Sequence, residues 1–332
     1  MSLPLLQALS QAWPEARVHV VIKVEHASVL DMLPSSNHLV IWHYNSRKQN
    51  GLMPLRRFCR EMREQIEGEI SHYLTLPPSL SSALMGVFLG AKERVGYPTN
   101  QRGLLLNRKV AFKSGLHRAR SYFRLLEAIK PEGIDFPSWK PDLLLGDYQP
   151  PFQDYLVLNP NSRAISRTLP REKWLEVLQF QQCQNYVLTG SPAEAARTEE
   201  LVIWLTEALP GKSFKSVAGK TDVVQMFQLL QASSGLITND SGPAHVAHML
   251  GVPMVVFFGA GDYQNTGPGY ASGRFMVLDE RLECSPCLRN DCPLGTLDCL
   301  SRMDMRARDV ARFFAPPAPL VPKPRAAATS GA

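Results

Sequence analysis

The sequence lacks a long apolar run. None of its hydrophobic stretches approaches the about 18 uninterrupted apolar residues that a membrane-spanning helix needs. The first residues, MSLPLLQALSQAWPEAR, also lack the basic region and the small-residue cleavage site of a secretory signal. These two absences argue against an integral membrane protein and against an exported one, so we expect a cytoplasmic protein.

The second half of the sequence lacks any excess of charge. Residues 151–332 carry 17 Lys and Arg against 17 Asp and Glu, whereas residues 1–150 carry 19 against 13. A basic half beside a neutral one indicates an anionic ligand or surface, although a solvated surface excess explains the charge equally well. No recognised nucleic-acid-binding module is present, so we expect no nucleic-acid partner.

The length and the hydrophobic pattern predict an α/β protein of two domains. A chain of 332 residues exceeds the roughly 100 to 200 residues of a typical domain. Apolar runs such as RVHVVIK and HLVIWHY, and later YLVLNP, GLITN and PMVVFFG, alternate with segments of helical period. This alternation is typical of parallel sheets covered by helices.

Composition divides the chain into four parts. We predict an N-terminal domain over residues 1–140, a Pro-rich linker over 141–153 and a C-terminal domain over 154–315. The Pro- and Ala-rich residues 316–332 have little to bury and predict a disordered tail. Two doubly wound domains would place a ligand at the carboxyl ends of their strands, in the cleft between them.

The most informative stretch is GLITNDSGPAHVAHMLGVPMVVFFG, residues 235–259. A predicted strand ends at Asn239, and Asp240 and Ser241 lie where the next helix begins. With Gly242, this turn leaves backbone N–H groups directed at the cleft, which predicts an anion site for a diphosphate. His245 lies one turn into the helix and is predicted to donate to the same phosphates.

This stretch resembles the signature of glycosyltransferase family 9, the heptosyltransferases of lipopolysaccharide core synthesis. NPNSRAISRTLPREKW resembles that family's loop with a basic residue before Pro and Trp, which is Arg167 here. The resemblance implies the GT-B fold, with two doubly wound Rossmann-like domains facing across a cleft. It also implies transfer of heptose from ADP-L-glycero-D-manno-heptose to a lipopolysaccharide inner-core sugar, with inversion and without a cofactor. Arg167 would stabilise the departing diphosphate.

The same resemblance, strongest toward the heptosyltransferase II branch, implies further binding residues. VLTGSPAEAARTEEL resembles the segment whose acidic residue, here Glu194, holds the donor ribose, and VAGKTDVV resembles the turn beside the adenine. The implied donor-binding residues are Gly190, Ser191, Glu194, Gly219, Lys220, Thr221, Asn239, Asp240, Ser241, Gly242 and His245. The implied acceptor-binding residues are Ser79, Ser82, Arg94 and Arg102.

The chain departs from the family pattern near its beginning. Family members open with a strand and a short Gly-Asp loop, and this sequence opens at SLPLLQALSQAWPEA. The Asp of that loop is the expected general base on the acceptor hydroxyl, and no residue here occupies its position. We therefore expect a missing first strand and an unidentified base, with Glu25 and Asp31 as substitutes that lack a matching context.

Four cysteines are clustered in ECSPCLRNDCPLGTLDC: Cys284, Cys287, Cys292 and Cys299. Their C-x2-C-x4-C-x6-C spacing predicts a structural zinc or iron–sulfur site, with reduced thiols packing a loop as the alternative. Neither interpretation involves these residues in sugar transfer.

Two alternatives remain beside a heptosyltransferase. The first is a family member with another nucleotide sugar or acceptor. Residues that bind the phosphates do not distinguish one sugar from another, so they leave this alternative open. The second is a degenerate nucleotide-sugar-binding protein without catalysis, which the absent Gly-Asp loop favours.

Four arginines of one amphipathic segment could also hold the protein at the anionic inner membrane, where a lipid-linked acceptor resides. They are Arg56, Arg57, Arg60 and Arg63.

Overall fold

The structure is a computed structural model that describes residues 2–33, 39–45, 48–49, 51–130, 143–269 and 273–315. Within these ranges, parallel strands alternate with helices. The strands are β1 (Val18–Lys23), β2 (Leu39–Tyr44), β3 (His72–Leu74), β4 (Glu93–Gly96), β5 (Arg108–Lys109), β6 (Leu156–Asn159), β7 (Asn185–Leu188), β8 (Ser213–Ser216), β9 (Gly235–Asn239), β10 (Met254–Phe258) and β11 (Phe275–Asp279). The helices are α1 (Leu3–Ala12), α2 (Ser28–Asp31), α3 (Leu52–Gln65), α4 (Leu80–Phe88), α5 (Arg118–Glu127), α6 (Arg171–Leu178), α7 (Ala195–Ala208), α8 (Val223–Gln231), α9 (Gly242–Leu250), α10 (Tyr263–Thr266), α11 (Asp298–Ser301) and α12 (Ala307–Phe314).

The C-terminal half is built on one parallel sheet of six strands, in the order β11-β10-β9-β6-β7-β8. Every residue of β6, β9 and β10 is buried, as expected for strands covered by helices on both faces. Asn159 at the end of β6 pairs with Thr238 of β9, so the carboxyl ends of these two strands are adjacent. The turns that follow them therefore meet at one edge of the sheet.

Two hydrophobic clusters cover the faces of this sheet. Trp174 of α6 packs edge-on against Phe257 of β10 on one face, and Ala244 and Ala247 of α9 belong to the cluster on the other. Each fully buried Val, Leu or Ile contributes about 1.5–3 kcal/mol relative to an exposed one. The predicted strands and helices of residues 154–260 are confirmed. The strands form a sheet that the helices cover, and the loops after β6 and β9 are anchored to it.

The N-terminal half has no continuous sheet among the described residues. Its strands form a two-stranded sheet, β1-β2, and a separate three-stranded sheet, β3-β4-β5, both parallel. Helix α3 packs on both sheets, because its core cluster includes Trp42 of β2 and Tyr73 of β3. On the other side, α1 packs against β1 and against α5. Helix α3 thus bridges two sheets that are not paired with each other.

The two halves are in contact. Leu3 and Leu30 share a hydrophobic cluster with Phe227 of α8 and Met249 of α9. The domain boundaries stay a prediction: described residues 143–153 of the linker form no helix or strand, and residues 131–142 and 316–332 lie outside the described ranges. Among the described helices, none has the length and apolar character needed to cross a membrane.

Candidate active site

The strongest candidate site lies where β6 and β9 end. After β6 the chain runs through Pro160 and Asn161 to a one-turn 3₁₀ helix that ends at Arg167, and after β9 it continues into Asp240. An Arg167 Nη1 lies 3.4 Å from Asp240 Oδ2, with the Asp240 side chain 4 % exposed and that of Arg167 31 % exposed. The fold therefore brings the two predicted residues together as a largely buried ion pair.

This ion pair has unused hydrogen-bonding capacity. Both Arg167 Nε and Asp240 Oδ2 are buried without a hydrogen-bond partner among the described residues. Burial raises the pKa of Asp240, and the Arg167 guanidinium opposes that rise. Because a buried polar atom without a partner costs about 1–3 kcal/mol, a ligand that supplies partners gains affinity here.

Glycine at position 261 makes room for the Asp240 carboxylate. A Cβ at Gly261 would stand 2.1 Å from Asp240 Oδ2, which is a severe clash. Gly261 follows β10 at the same sheet edge. The sequence analysis missed this residue, since a glycine's neighbour is visible only after folding.

Amide side chains hold the two loops in place. Asn239 donates from Nδ2 to Pro160 O at 2.7 Å, and its Oδ1 accepts from the Leu169 N–H at 3.3 Å. Asn159 Nδ2 donates to Ser241 Oγ at 2.8 Å. Asn239 is fully buried, and its side chain positions the Arg167 loop; a contact of Asn239 with the donor stays a prediction.

Helix α9 presents its N-terminus to this site. Ser241 is the N-cap in an extended conformation, yet no side chain caps the first turn. Gly242 is exposed, and a Cβ there would meet no atom within 4 Å. Uncapped N–H groups at a helix N-terminus favour an anion, and a phosphate site here stays a prediction. Asp240, however, is not the cap.

Three histidines gather beside α9. His117 begins α5 in the N-terminal half, and its Nε2 lies 2.9 Å from Gly267 O in the C-terminal half. Burial lowers the pKa of His245 to about 3 and that of His248 to about 4, and a proton on His117 would lower both further. The pKa of His117 is also lowered by burial, to about 4. These rings are neutral at pH 7.

The predicted ribose and adenine residues lie together at the ends of β7 and β8. The Gly219 N–H donates to Gly190 O at 2.9 Å, and Gly219 has a left-handed φ of +71°. Lys220 is exposed, and Thr221 is half-buried. Glu194 forms a capping box, because its Oε2 accepts from both the backbone N–H and the hydroxyl of Ser191 at 2.7 Å. A donor role for these residues stays a prediction.

The predicted acceptor residues have structural roles. Arg102 is 1 % exposed, and its guanidinium donates to Tyr97 O, Thr75 Oγ1 and Pro77 O. Arg94 donates to Leu105 O at 2.8 Å and to Ala91 O at 2.9 Å. Carbonyl groups of their own domain therefore bind both guanidinium groups, and an acceptor contact of these arginines stays a prediction.

The two serines predicted to bind acceptor also support the fold. Ser79 is the N-cap of α4 and accepts from the Ser82 N–H at 3.2 Å. Ser82 donates to the carbonyl groups of Pro77 and Ser79. Glu25 follows β1 and lies 4.0 Å from Lys23 Nζ, and Asp31 ends α2, which packs against α8. Nothing in these contacts singles out either carboxylate as the base.

The four clustered cysteines lie directly behind the Arg167 turn. All four line one cavity of about 70 Å³, whose other walls include Ser166 and Ala260. Burial raises the pKa of the Cys299 thiol to about 11. Among the described residues, no three His, Cys, Asp or Glu side chains stand close enough to hold a metal ion.

A buried parallel sheet whose turns bring an ion pair to an uncapped helix N-terminus is typical of nucleotide-binding α/β proteins. A sequence model of glycosyltransferase family 9 (heptosyltransferase) matches residues 56–297. Since this match covers more than two thirds of the chain, the chain belongs to glycosyltransferase family 9. The predicted family is confirmed.

Individual relatives agree with this assignment. Lipopolysaccharide heptosyltransferase 3 of Escherichia coli is 21 % identical over 279 residues, which cover 79 % of this chain and 80 % of the relative. Among solved structures, the family 9 glycosyltransferase of Veillonella parvula has a TM-score of 0.76 at 18 % identity, covering 94 % and 92 % of the two chains. E. coli heptosyltransferase II has a TM-score of 0.66 at 21 % identity, covering 90 % and 92 %.

Two further structures share the fold. E. coli heptosyltransferase WaaC, solved with ADP, has a TM-score of 0.64 at 19 % identity and covers 94 % and 93 % of the two chains. The iron-containing dodecameric glycosyltransferase TibC from enterotoxigenic E. coli has a TM-score of 0.55 at 14 % identity, covering 94 % and 72 %. The likeness to heptosyltransferases II and WaaC confirms the predicted GT-B fold.

Proposed function

We propose that this chain transfers heptose from ADP-L-glycero-D-manno-heptose to the lipopolysaccharide inner core, with inversion and without a metal. The single observation that carries the proposal is the Arg167–Asp240 pair, whose unsatisfied atoms lie at the uncapped N-terminus of α9. Family membership and the likeness to a heptosyltransferase solved with ADP support the choice of donor.

The donor diphosphate binds between Arg167 and the first turn of α9. The guanidinium and the uncapped N–H groups both favour negative charge, and that charge increases as the diphosphate departs. The Arg167 side chain is 31 % exposed, so a ligand can reach part of it while its Nη1 stays beside Asp240. The Glu194 carboxylate already takes part in a capping box with Ser191 and in an ion pair with Arg197. A contact between Glu194 and the donor ribose therefore has less support.

Asp240 is better suited to the sugar than to the phosphates. A carboxylate beside phosphates is repelled, whereas a carboxylate oxygen without a donor can accept hydrogen bonds from sugar hydroxyl groups. We assign Asp240 to the heptose ring, where it would also hold Arg167 in place. An Asp240→Asn variant is then expected to keep ADP affinity but to lose the added affinity of the sugar.

In the transfer step an acceptor hydroxyl attacks the anomeric carbon as the bond to the diphosphate breaks. The bonding electrons leave with ADP, where Arg167 stabilises them, and the hydroxyl proton passes to a base. No described residue is established as that base. Glu25 and Asp31 are the carboxylates proposed from the sequence, and Glu25→Gln and Asp31→Asn test them.

A further acceptor contact is proposed at the start of α5. Arg118 is exposed there, next to His117, whose ring contacts Gly267 O of the C-terminal half. An inner-core acceptor bears carboxylates and phosphates, which a guanidinium binds well. We propose Arg118 as an acceptor-binding residue.

Cytoplasmic location with peripheral contact at the inner membrane forms part of this proposal. The α3 arginines support it weakly, because Arg57 pairs with Glu61 and Arg60 with Glu64, while Arg63 donates to Ile66 O and Gly68 O. Much of the positive charge on this helix is thereby neutralised or occupied. Lipid vesicles with and without anionic headgroups test this contact.

Transfer assays distinguish the remaining alternatives. The chain is incubated with ADP-heptose and a heptose-deficient lipopolysaccharide, and product is compared with that from UDP- and GDP-sugars. Product from ADP-heptose alone supports the proposal, and product from another donor alone identifies a different family activity. Binding of ADP-heptose without any turnover indicates a degenerate donor-binding protein.

A further inference from the structure

The residue that precedes Arg167 is buried, although Arg167 itself is partly exposed. Ser166 is 1 % exposed, and the Arg167 side chain is 31 % exposed. Both lie on the single 3₁₀ turn Ile165–Arg167, in which the Arg167 N–H donates to Ala164 O at 3.1 Å. One turn of this kind has few hydrogen bonds of its own. Contacts with neighbouring segments must therefore set the position of this turn.

Ser166 forms three hydrogen bonds to two other segments of the chain. Its N–H donates to Asn290 O at 3.1 Å, and its hydroxyl donates to Arg289 O. Its carbonyl accepts from the Ala260 N–H at 3.4 Å. The N–H, the hydroxyl and the carbonyl of this one residue are thus all bonded to parts of the chain that lie far away in sequence.

The segment Gly259–Gly261 lies between Ser166 and Asp240. A Cβ on its first glycine would stand 3.1 Å from Ser166 O, and one on its second glycine would stand 2.1 Å from Asp240 Oδ2. The alanine between them donates to Ser166, and its carbonyl accepts from the Leu288 N–H at 2.9 Å. Small residues therefore let one segment contact both the turn before Arg167 and the carboxylate that pairs with it.

We infer that Ser166 is a positioning residue that holds the Arg167 guanidinium beside Asp240. Removal of its hydroxyl breaks the bond to Arg289 O but leaves the two backbone hydrogen bonds in place. The turn then loses one of its three attachments, and Arg167 is held less firmly for the departing diphosphate. The anchoring is a property of the fold, while its consequence for the donor rests on the proposed function.

Calorimetric titration with ADP tests this role. Ser166→Ala is expected to bind ADP about fivefold more weakly than the unaltered chain, which is the effect of roughly one hydrogen bond. Ser233→Ala is the matched control, because the Ser233 hydroxyl also donates to a backbone carbonyl, Leu230 O at 2.8 Å. Ser233 precedes β9, at the end of that strand opposite the site, so this variant should bind ADP as the unaltered chain does.

An Arg167→Ala background separates positioning from a general structural defect. If Ser166 acts through Arg167, adding Ser166→Ala to Arg167→Ala should change ADP affinity by less than about twofold. A general defect would weaken ADP binding equally in both backgrounds. Equal effects in the two backgrounds, or an unchanged ADP affinity in the single Ser166→Ala variant, would overturn the inference.

Hydrogen–deuterium exchange tests the anchor without a ligand. In Ser166→Ala, the peptides that contain residue 166 and Leu288 are expected to exchange about tenfold faster, and in Ser233→Ala they should exchange as in the unaltered chain. Unchanged exchange in Ser166→Ala would overturn the anchor. If ADP does not bind the folded chain, or binds Arg167→Ala equally well, the proposed donor site fails, and the exchange result still decides the anchor. Circular dichroism checks that each variant is folded.

Discussion

The two halves of the molecule use the same parallel β/α plan with different completeness. In the C-terminal half six strands form one sheet, and β6, β9 and β10 are buried along their whole length. In the N-terminal half five strands form two sheets, and β1 is only half-buried although helices lie on both sides. The difference teaches that helix layers alone do not bury a strand. A paired neighbour on each edge is also needed.

Because the C-terminal sheet is continuous, the part of the candidate site that it carries is held in place without a ligand. The turns after β6 and β9 are held by neighbouring strands and by Asn239, so Arg167 and Asp240 are positioned before any ligand binds. In the N-terminal half, no described strand pairs with both β1 and β3, so the two sheets stay separate.

The largest expected effect is on Arg167. Arg167→Ala removes the charge that stabilises the departing diphosphate, and we expect turnover of ADP-heptose to fall about 10²- to 10³-fold. Release of ADP in a coupled assay measures it. Arg171→Ala is the matched control, because Arg171 is exposed a few residues on and stacks over Trp204 instead. A similar loss in both variants would contradict a specific role for Arg167.

Replacing one isoleucine in each half compares how strongly strand packing stabilises the two sheets. Ile237 of β9 is fully buried, so Ile237→Ala should lower the free energy of unfolding by about 2–5 kcal/mol. Ile22 of β1 is half-buried, and Ile22→Ala should cost about 1 kcal/mol. Urea unfolding followed by circular dichroism gives both values. Equal costs would show that the split sheet is as well packed as the continuous one.

Acid is expected to destabilise the fold around His248, whose ring accepts from the Gly269 N–H and packs against Phe275. The pKa of His248 is lowered to about 4 in the folded chain, so the unfolded chain binds the proton more readily. The stability that this neutral ring contributes is present above its unfolded pKa of about 6.5 and is lost as pH falls from there toward 4. At pH 5 the loss is on the order of 1–2 kcal/mol.

Melting temperatures at pH 7 and pH 5 measure this effect. His248→Gln should reduce the pH-dependent decrease, and His72→Gln is the control because His72 is exposed. If the melting temperature of His248→Gln falls between pH 7 and pH 5 as much as that of the unaltered chain, His248 does not cause the decrease.

The smallest effect is expected at Arg118. Arg118→Ala should raise the KM for the acceptor about five- to tenfold and leave ADP affinity unchanged, because a partly exposed charge contributes about 1 kcal/mol. Arg57→Ala, an exposed arginine of α3 paired with Glu61, is the control. A weaker affinity for ADP with an unchanged acceptor KM would assign Arg118 to the donor instead.

The sequence predicted the C-terminal half better than the N-terminal half for a physical reason. Buried central strands are nearly continuous apolar runs, so GLITN and PMVVFFG were predicted correctly. The polar edge strand β8, SFKS, was not predicted, because an edge strand has no such run. The split of the N-terminal sheet depends on pairing between distant strands, which no local pattern encodes.

The site was predicted unevenly for a related reason. Asp240 and Arg167 follow strands in a recognisable motif, and the structure brings them together. Arg102 was assigned to the acceptor, but carbonyl groups of its own domain bind it, and a sequence does not show which partner a guanidinium takes. Asn159 and His117 were missed, since their importance comes from contacts 82 and 150 residues away.

Calorimetric titration of the chain with ADP tests the central claim most directly, using the unaltered chain, Arg167→Ala and Arg171→Ala. The account predicts that ADP binds the unaltered chain, at least tenfold more weakly to Arg167→Ala, and with unchanged affinity to Arg171→Ala. A folded chain that does not bind ADP, or an Arg167→Ala variant that binds it as well as the unaltered chain, would contradict the donor site at the head of α9.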